Sequence, residues 1–298
     1  MKLKRCLLSC DKGATLMELM IASLVAVTLS LLTQQAVLAN HRLYQKDIVK
    51  TDLNQSLRSA LDIIASDARE AGERLPEGFP AVELVDGIDG EPDQLIIRRN
   101  LLDEVLVLCQ DITAGATNTI IPLFNNNNVT PACTFPTQEA ALLTWRDYRE
   151  LEDGQTVKVY VFNQATKDGE FVDYVNDSNS GGELQIEKAG GSWEHDYSSD
   201  FTAVYMLVEW RFELEDNYLK VIENQDEESP LNIVYNINEF QVEVTTNDGT
   251  EHTEFDKDDA WIDIASIDVS LTGETPYKDT LIESTIESEF FPRNILSN

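Results

Sequence analysis

From Ala14 to Asn40 the chain runs for 27 residues without a lysine, arginine, aspartate or proline, and Leu, Val, Ile, Met and Ala fill most of that run. A helix of this length measures roughly 40 Å at about 1.5 Å per residue, enough to cross a bilayer. One carboxylate, Glu18, stands near its start. Ahead of it Lys2, Lys4, Arg5 and Lys12 stand against a single acid, Asp11. Basic flanks stay on the cytoplasmic side of a membrane, so a single pass with the N-terminus inside and the remainder outside is expected.

Three readings of the segment compete. An ordinary secretory signal would be cut after the apolar run, and Val37-Leu38-Ala39 is a tolerable cleavage site, with a mature chain starting near Asn40. The run is too long for that, and Glu18 would sit inside it. A plain anchor accounts for the length but leaves Glu18 as a cost on the order of a few kcal/mol at mid-bilayer, less near the end.

The third reading is a resemblance. A short basic leader ending in Gly13, an apolar stretch beginning at Ala14 and an acid at Glu18 together resemble the class III signal of type IV prepilins. The resemblance implies cleavage between Gly13 and Ala14 by a prepilin peptidase on the cytoplasmic side, N-methylation of the new terminus, and retention of the apolar helix. Glu18 becomes the fifth residue of the mature chain. Ala14 departs from the pattern, where Phe is usual. In such proteins the acid is thought to pair with the N-terminal amine of a neighbouring subunit; a carboxylate in apolar surroundings needs an opposite charge, and a freed amine supplies one.

The chain has 298 residues, with 54 acidic and 22 basic side chains, a net charge of −32 and 42% hydrophobic residues. Without residues 1–13 the balance becomes 53 acids against 18 bases, a net of −35. This is a folding chain with an acidic surface. Such a surface repels nucleic acid, so no nucleic-acid partner is expected. Cys6 and Cys10 would leave with the leader, while Cys109 and Cys133 would remain as an even pair in an oxidising compartment. A disulfide between them would contribute roughly 3 kcal/mol. The alternative is a pair of buried thiols, since Cys109 closes the apolar run "EVLVLC". No CxxC or Cys/His spacing points to zinc or to thiol redox chemistry.

Beyond the apolar run, Leu53, Leu57, Leu61, Ile64 and Ala68 recur at helical spacing. Gly72, Pro76, Gly78 and Pro80 then end the pattern. No proline falls between residues 14 and 75, so one helix from Ala14 to Ala71, 58 residues, is expected; it would measure roughly 87 Å. After Pro80 the runs "DQLIIRR", "EVLVLCQ", "NTIIPLF" and "QTVKVYVFNQ" read as strands separated by turn residues. "NNNNVTP" at 125–131 and "NDSNSGG" at 176–182 read as loops, the second as a boundary between two sheets. "TAVYMLVEWRFELEDNYLKVI" reads as a hairpin turning at Asp216-Asn217. "LNIVYNINEFQVEV", "IDIASIDVSLTG" and "TIESEFFPRNI" supply the closing strands. The expected fold is α+β: a long N-terminal transmembrane and stem helix packed on a C-terminal antiparallel β-sheet head, pilin-like. Residues 1–13 are the leader, 14–40 the transmembrane and filament-core helix, 41–72 an amphipathic stem, and 73–298 an extracytoplasmic head.

The stem and the last hundred residues are similar to PilW-type minor pilins and to the related J-type pseudopilins of type II secretion. Asp67, Arg69, Ala71 and Gly72, with Glu70 at the variable place, approximate their acidic-Arg-x-Ala-Gly stem end. "VEWRFELEDNYLKVI" resembles their hairpin, and "DIASIDVSLTGET" followed by "TIESEFFPRN" resembles their closing strands, ending in Arg293-Asn294. The resemblance implies a non-enzymatic minor pilin that primes or caps a pilus. Its partners would be the prepilin peptidase, other minor pilins, the major pilin and a tip adhesin. It would sit in the inner membrane of a bacterium before assembly and at the pilus tip afterwards. A type II secretion pseudopilin is the near alternative. A secreted or anchored binding protein or enzyme with an ordinary signal is the distant one.

Residues that could carry chemistry are sparse. His41, His195 and His252 are the only histidines, and no HExxH, GxSxG or P-loop sequence occurs. No catalytic, cofactor-binding or metal-ligating residue is assigned. The acidic stretches at 86–93, 223–229 and 247–259 are read as solvated loops; calcium, which favours oxygen-rich loops, is the minority reading, and none has EF-hand spacing.

Overall fold

The computed structural model describes residues 15–125, 133–152, 156–180, 182–278 and 280–294. The chain divides into two compact units, residues 1–52 and 53–298. The first helix, α1 (Leu16–Glu70), carries the boundary between them.

In the first unit every apolar side chain from Leu16 to Leu43 is exposed. In the second, α1 buries Leu53, Leu57, Ala60, Leu61, Ile64, Ala65 and Ala68. Steps of one, three and four residues place these on one face, as a helix packed on a sheet requires. The described part of residues 41–52 carries no buried side chain, so the packed stripe begins at Leu53.

Three antiparallel sheets make up the second unit. One orders β1 (Val82–Val85), β2 (Gln94–Asn100), β9 (Leu207–Glu215), β10 (Tyr218–Glu223) and β11 (Leu231–Tyr235). Another orders β13 (Glu251–His252), β12 (Ile237–Thr246), β14 (Ile264–Tyr277) and β15 (Thr280–Phe290). Their inward residues, among them Leu95, Ile97, Phe212, Phe240, Val242, Ile267 and Leu271, form one core with the α1 stripe. The third sheet orders β3 (Leu106–Val107), β8 (Thr202–Tyr205), β5 (Val157–Asn163), β6 (Asp168–Ser180), β7 (Glu183–Lys188) and β4 (Ile120–Asn125). A second core, centred on Trp145, Tyr174, Trp193 and Leu184, lies between this sheet and α2 (Phe135–Leu151).

The α+β class, with an apolar N-terminal helix and antiparallel sheets after it, is therefore as expected. Several local expectations are corrected. α2 is an addition to the strands and loops expected after Pro80. Residues 176–180 do not separate two sheets but belong to β6, which turns back into β7 of the same sheet. The run from Thr202 is two strands in different sheets, β8 and β9, parted at Met206. Only Leu106 and Val107 of "EVLVLCQ" form a strand. Asn236, at φ 64, divides β11 from β12. The hairpin at Asp216-Asn217 is as read: both residues take positive φ, 53 and 62, which two-residue turns between antiparallel strands favour.

Two sets of contacts fix the end of α1. Gly72 takes φ +74 and its N–H donates to the Arg98 carbonyl at 2.9 Å. The Asn294 amide donates to the carbonyls of Glu70 at 3.3 Å and Ala71 at 3.1 Å, satisfying groups that a helix C-terminus leaves open. At the other end of the packed stripe, Ser284 donates to Asn54 Oδ1 at 2.6 Å.

Candidate functional site

Gly13 and Ala14 lie outside the described residues, so the account of the N-terminal segment begins at Thr15. The Thr15 N–H donates to Glu18 Oε2 at 2.9 Å and its hydroxyl to the same oxygen at 3.2 Å, while the Glu18 N–H donates to Thr15 Oγ1 at 3.3 Å. This is a reciprocal capping box. Glu18 thus satisfies free donors at the start of α1 and places negative charge at the positive end of the helix dipole. The Thr-x-x-Glu spacing was present in the sequence and marks Thr15 as a residue that reading Glu18 alone misses.

Along the helix the polar groups turn inward on their own backbone. Ser23, Thr28, Ser30 and Thr33 donate to the carbonyls of Met20, Val25, Ala26 and Leu29 at 2.9, 2.8, 2.8 and 3.0 Å. A hydroxyl bonded in this way presents its carbon side outward. Between them stand exposed Leu19, Leu24, Leu29, Leu31 and Leu32, with Leu24 67% exposed. The outcome is a helix long and apolar enough to cross a membrane, with none of its apolar window buried among the described residues.

Cys109 and Cys133 are joined by a disulfide, with Cα atoms 5.8 Å apart. Both are 1% exposed. The bond ties the chain just after β3 to the residue before Thr134, the N-cap position of α2.

The acidic loops are organised by their own carboxylates. Asp93, 2% exposed, accepts from the N–H groups of Gly87 at 2.9 Å and Val242 at 2.7 Å, which pins the 86–93 loop to β12. Burial pushes its pKa up despite those two bonds. Asp248 accepts from the Thr246 hydroxyl at 2.7 Å and the Thr250 N–H at 3.0 Å, which lower its pKa to about 2. Asp256 accepts from the Asp258 N–H at 2.7 Å, and Lys257 reaches Asp168 at 2.6 Å. His252 approaches Thr246 Oγ1 at 3.4 Å, and His41 meets Gln45 at 3.1 Å. His195 sits edge-on to Tyr197. Among the described residues, no group of three or more His, Cys, Asp or Glu side chains is arranged to hold a metal ion.

Two buried ion networks escaped sequence reading. Arg98, 4% exposed, donates to Glu209 at 2.6 Å, to the Pro80 carbonyl at 2.7 Å and to Glu83. Burial opposes its charge, but Glu209 and Glu83 outweigh that and raise its pKa. Asp177 takes Arg146, Arg149 at 3.1 Å and the Tyr174 hydroxyl at 2.8 Å, locking α2 to β6. Burial favours its neutral form, yet hydrogen bonds from Arg146 and Tyr174 leave its pKa below the ordinary value. Both networks tie neighbouring elements together.

Compared with protein-family models and with curated proteins, the chain finds no match in either. Among solved structures it has a likeness to a type IV-like pilin from Thermus thermophilus, at 7% identity and a TM-score of 0.38, covering 81% of this chain and 96% of that one.

Proposed function

We propose that the chain is a pilin-like structural subunit, processed between Gly13 and Ala14 and held in the bacterial inner membrane by α1 until it joins a filament. The observation that carries this reading is the state of α1 before Asn40: among the described residues its apolar side chains are exposed, and its hydroxyls are bonded back to its own backbone. That is the surface a helix needs among lipid tails or other apolar helices.

Within this reading the chain is a minor pilin of the PilW type, and it primes or caps a pilus in company with the major pilin, other minor pilins and a tip adhesin. The size and acidity of residues 73–298 favour a tip position over a repeating filament body, where like-charged heads would be packed side by side. Glu18, capped by Thr15 in the single chain, is then free to exchange part of that bonding for a neighbour's terminal amine.

Variants at Glu18 and Gly13 test it. Gly13→Ala is expected to leave the leader attached. Glu18→Ala is expected to be processed and membrane-bound but absent from filaments. Glu18→Gln keeps an acceptor for the cap and loses the charge, so a filament defect as deep as that of Glu18→Ala assigns the role to charge pairing. Normal filament entry by Glu18→Gln would contradict it.

A further inference from the structure

Three sheets have six edges among the described strands, and five of them are blunted. β3 and β13 are two residues long. β11 pairs with β10 through a register shift, and β4 carries Pro122 and a register shift against β7. β1 has four residues, and Leu84 is bridged by Phe255 on its outer side. Short length, bulges, proline, cover and charged side chains are the usual means by which a sheet edge avoids pairing with another chain.

Of these, β15 uses only charge. It spans 11 residues, Thr280–Phe290, and pairs with β14 in unbroken register from Ile267↔Phe290 to Tyr277↔Thr280. It holds no proline and no lysine. Among the described residues no strand pairs with its other side.

What β15 carries instead is acid. Glu283, Glu287 and Glu289 alternate with the inward Ile282, Ile286 and Phe290, so they share the wet face. Glu289 lies directly opposite Asp268, which lies opposite Glu243; Glu283 lies opposite Glu274. Like charges in directly opposed positions destabilise a sheet. No lysine or arginine occurs in β12, β14 or β15 to offset them.

We propose that the β15 edge is a docking site for an extended, basic segment of a partner protein, which adds to the sheet as a fifth strand with lysine or arginine at alternate positions on the acidic face. Main-chain hydrogen bonds along the open edge would hold the segment, and the alternating cations would select it. A second copy of this chain is a poor occupant, because its net charge of −32 repels it. The proposal does not depend on the filament reading: it concerns the edge of one sheet, whatever the machine.

The test uses the full chain in detergent and three synthetic nine-residue peptides: alternating Lys and Thr, alternating Glu and Thr, and the Lys peptide with alternate amides N-methylated. The Lys peptide is expected to bind and to slow hydrogen exchange of amides in β15. The Glu peptide and the N-methylated peptide are expected to bind at least about ten-fold more weakly. Glu287→Lys/Glu289→Lys, two exposed changes, is expected to weaken the Lys peptide and improve the Glu peptide. Equal binding by the N-methylated peptide would reduce the surface to a diffuse acidic attraction and overturn the proposal. So would protection elsewhere than β15, no binding at all, or dimerisation of the free chain through β15.

Discussion

Gly72 lies against the ring of Trp261 so closely that a Cβ added there would fall 2.1 Å from the ring carbon Cζ3. Two independent demands meet at this residue: φ +74, which a side chain disfavours, and a buried indole ring. Gly72→Ala is therefore expected to destabilise the second unit by about 3 kcal/mol, the sum of a positive-φ cost and of overpacking. Chemical denaturation of the detergent-solubilised chain measures it. Combining Gly72→Ala with Trp261→Leu should cost less than the two single changes added together, because the collision is then removed. Strict additivity would show that the ring is not what excludes a side chain.

The disulfide gives a second expectation. Residues 109 and 133 are separated by 24 positions, and the bond anchors the start of α2. Cys133→Ser should lower stability by roughly 3 kcal/mol without abolishing the fold, since two cores of buried side chains remain. Thiol labelling of the denatured, unreduced protein should find neither cysteine. Labelling at both would contradict the bond.

The seam between α1 and β2 sets a pH dependence. Asp67 is half-buried, and burial raises its pKa to about 6, with Arg99 only partly opposing. The ordinary aspartate value is 3.8, so between about pH 4 and 6 the folded chain holds a proton that the unfolded chain has lost. Stability from this group is then greatest below that window and falls as pH rises through it. Asp67→Asn should flatten that slope and stabilise the protein at pH 7 by about 1 kcal/mol, a figure reduced for the partial exposure of the site. Unfolding midpoints at pH 4.5 and 7 for the two proteins decide it; parallel profiles would remove Asp67 from the account.

How much of this was legible beforehand follows from what each element depends on. The α1 stripe was readable because Leu53, Leu57, Leu61, Ile64 and Ala68 are strongly apolar at strict helical spacing. The Asp216-Asn217 hairpin was readable because its turn residues are chemically distinctive. α2 was missed although Thr134 and Pro136 open it and Ala141, Leu142 and Trp145 share a face, because that face also buries Gln138 and Arg149. Those two are paid for by long-range partners, the Val107 backbone and Asp177, which no local pattern reveals. The split between β8 and β9 was hidden for a similar reason: an uninterrupted run from Thr202 to Glu215 carries no turn residue, and the change of sheet at Met206 is decided by packing. At the N-terminus the acid stands out in the apolar run and its cap does not, since Thr15 gains meaning only when paired with Glu18.

The central claim is that α1 is kept, and that the chain begins just ahead of the Thr15–Glu18 cap. Intact-mass analysis of the protein extracted from membranes tests this most directly. The account predicts a chain starting at Ala14, carrying one N-methyl group and losing two hydrogens to the Cys109–Cys133 bond. A chain starting at Asn40, with α1 lost up to that point, would contradict it.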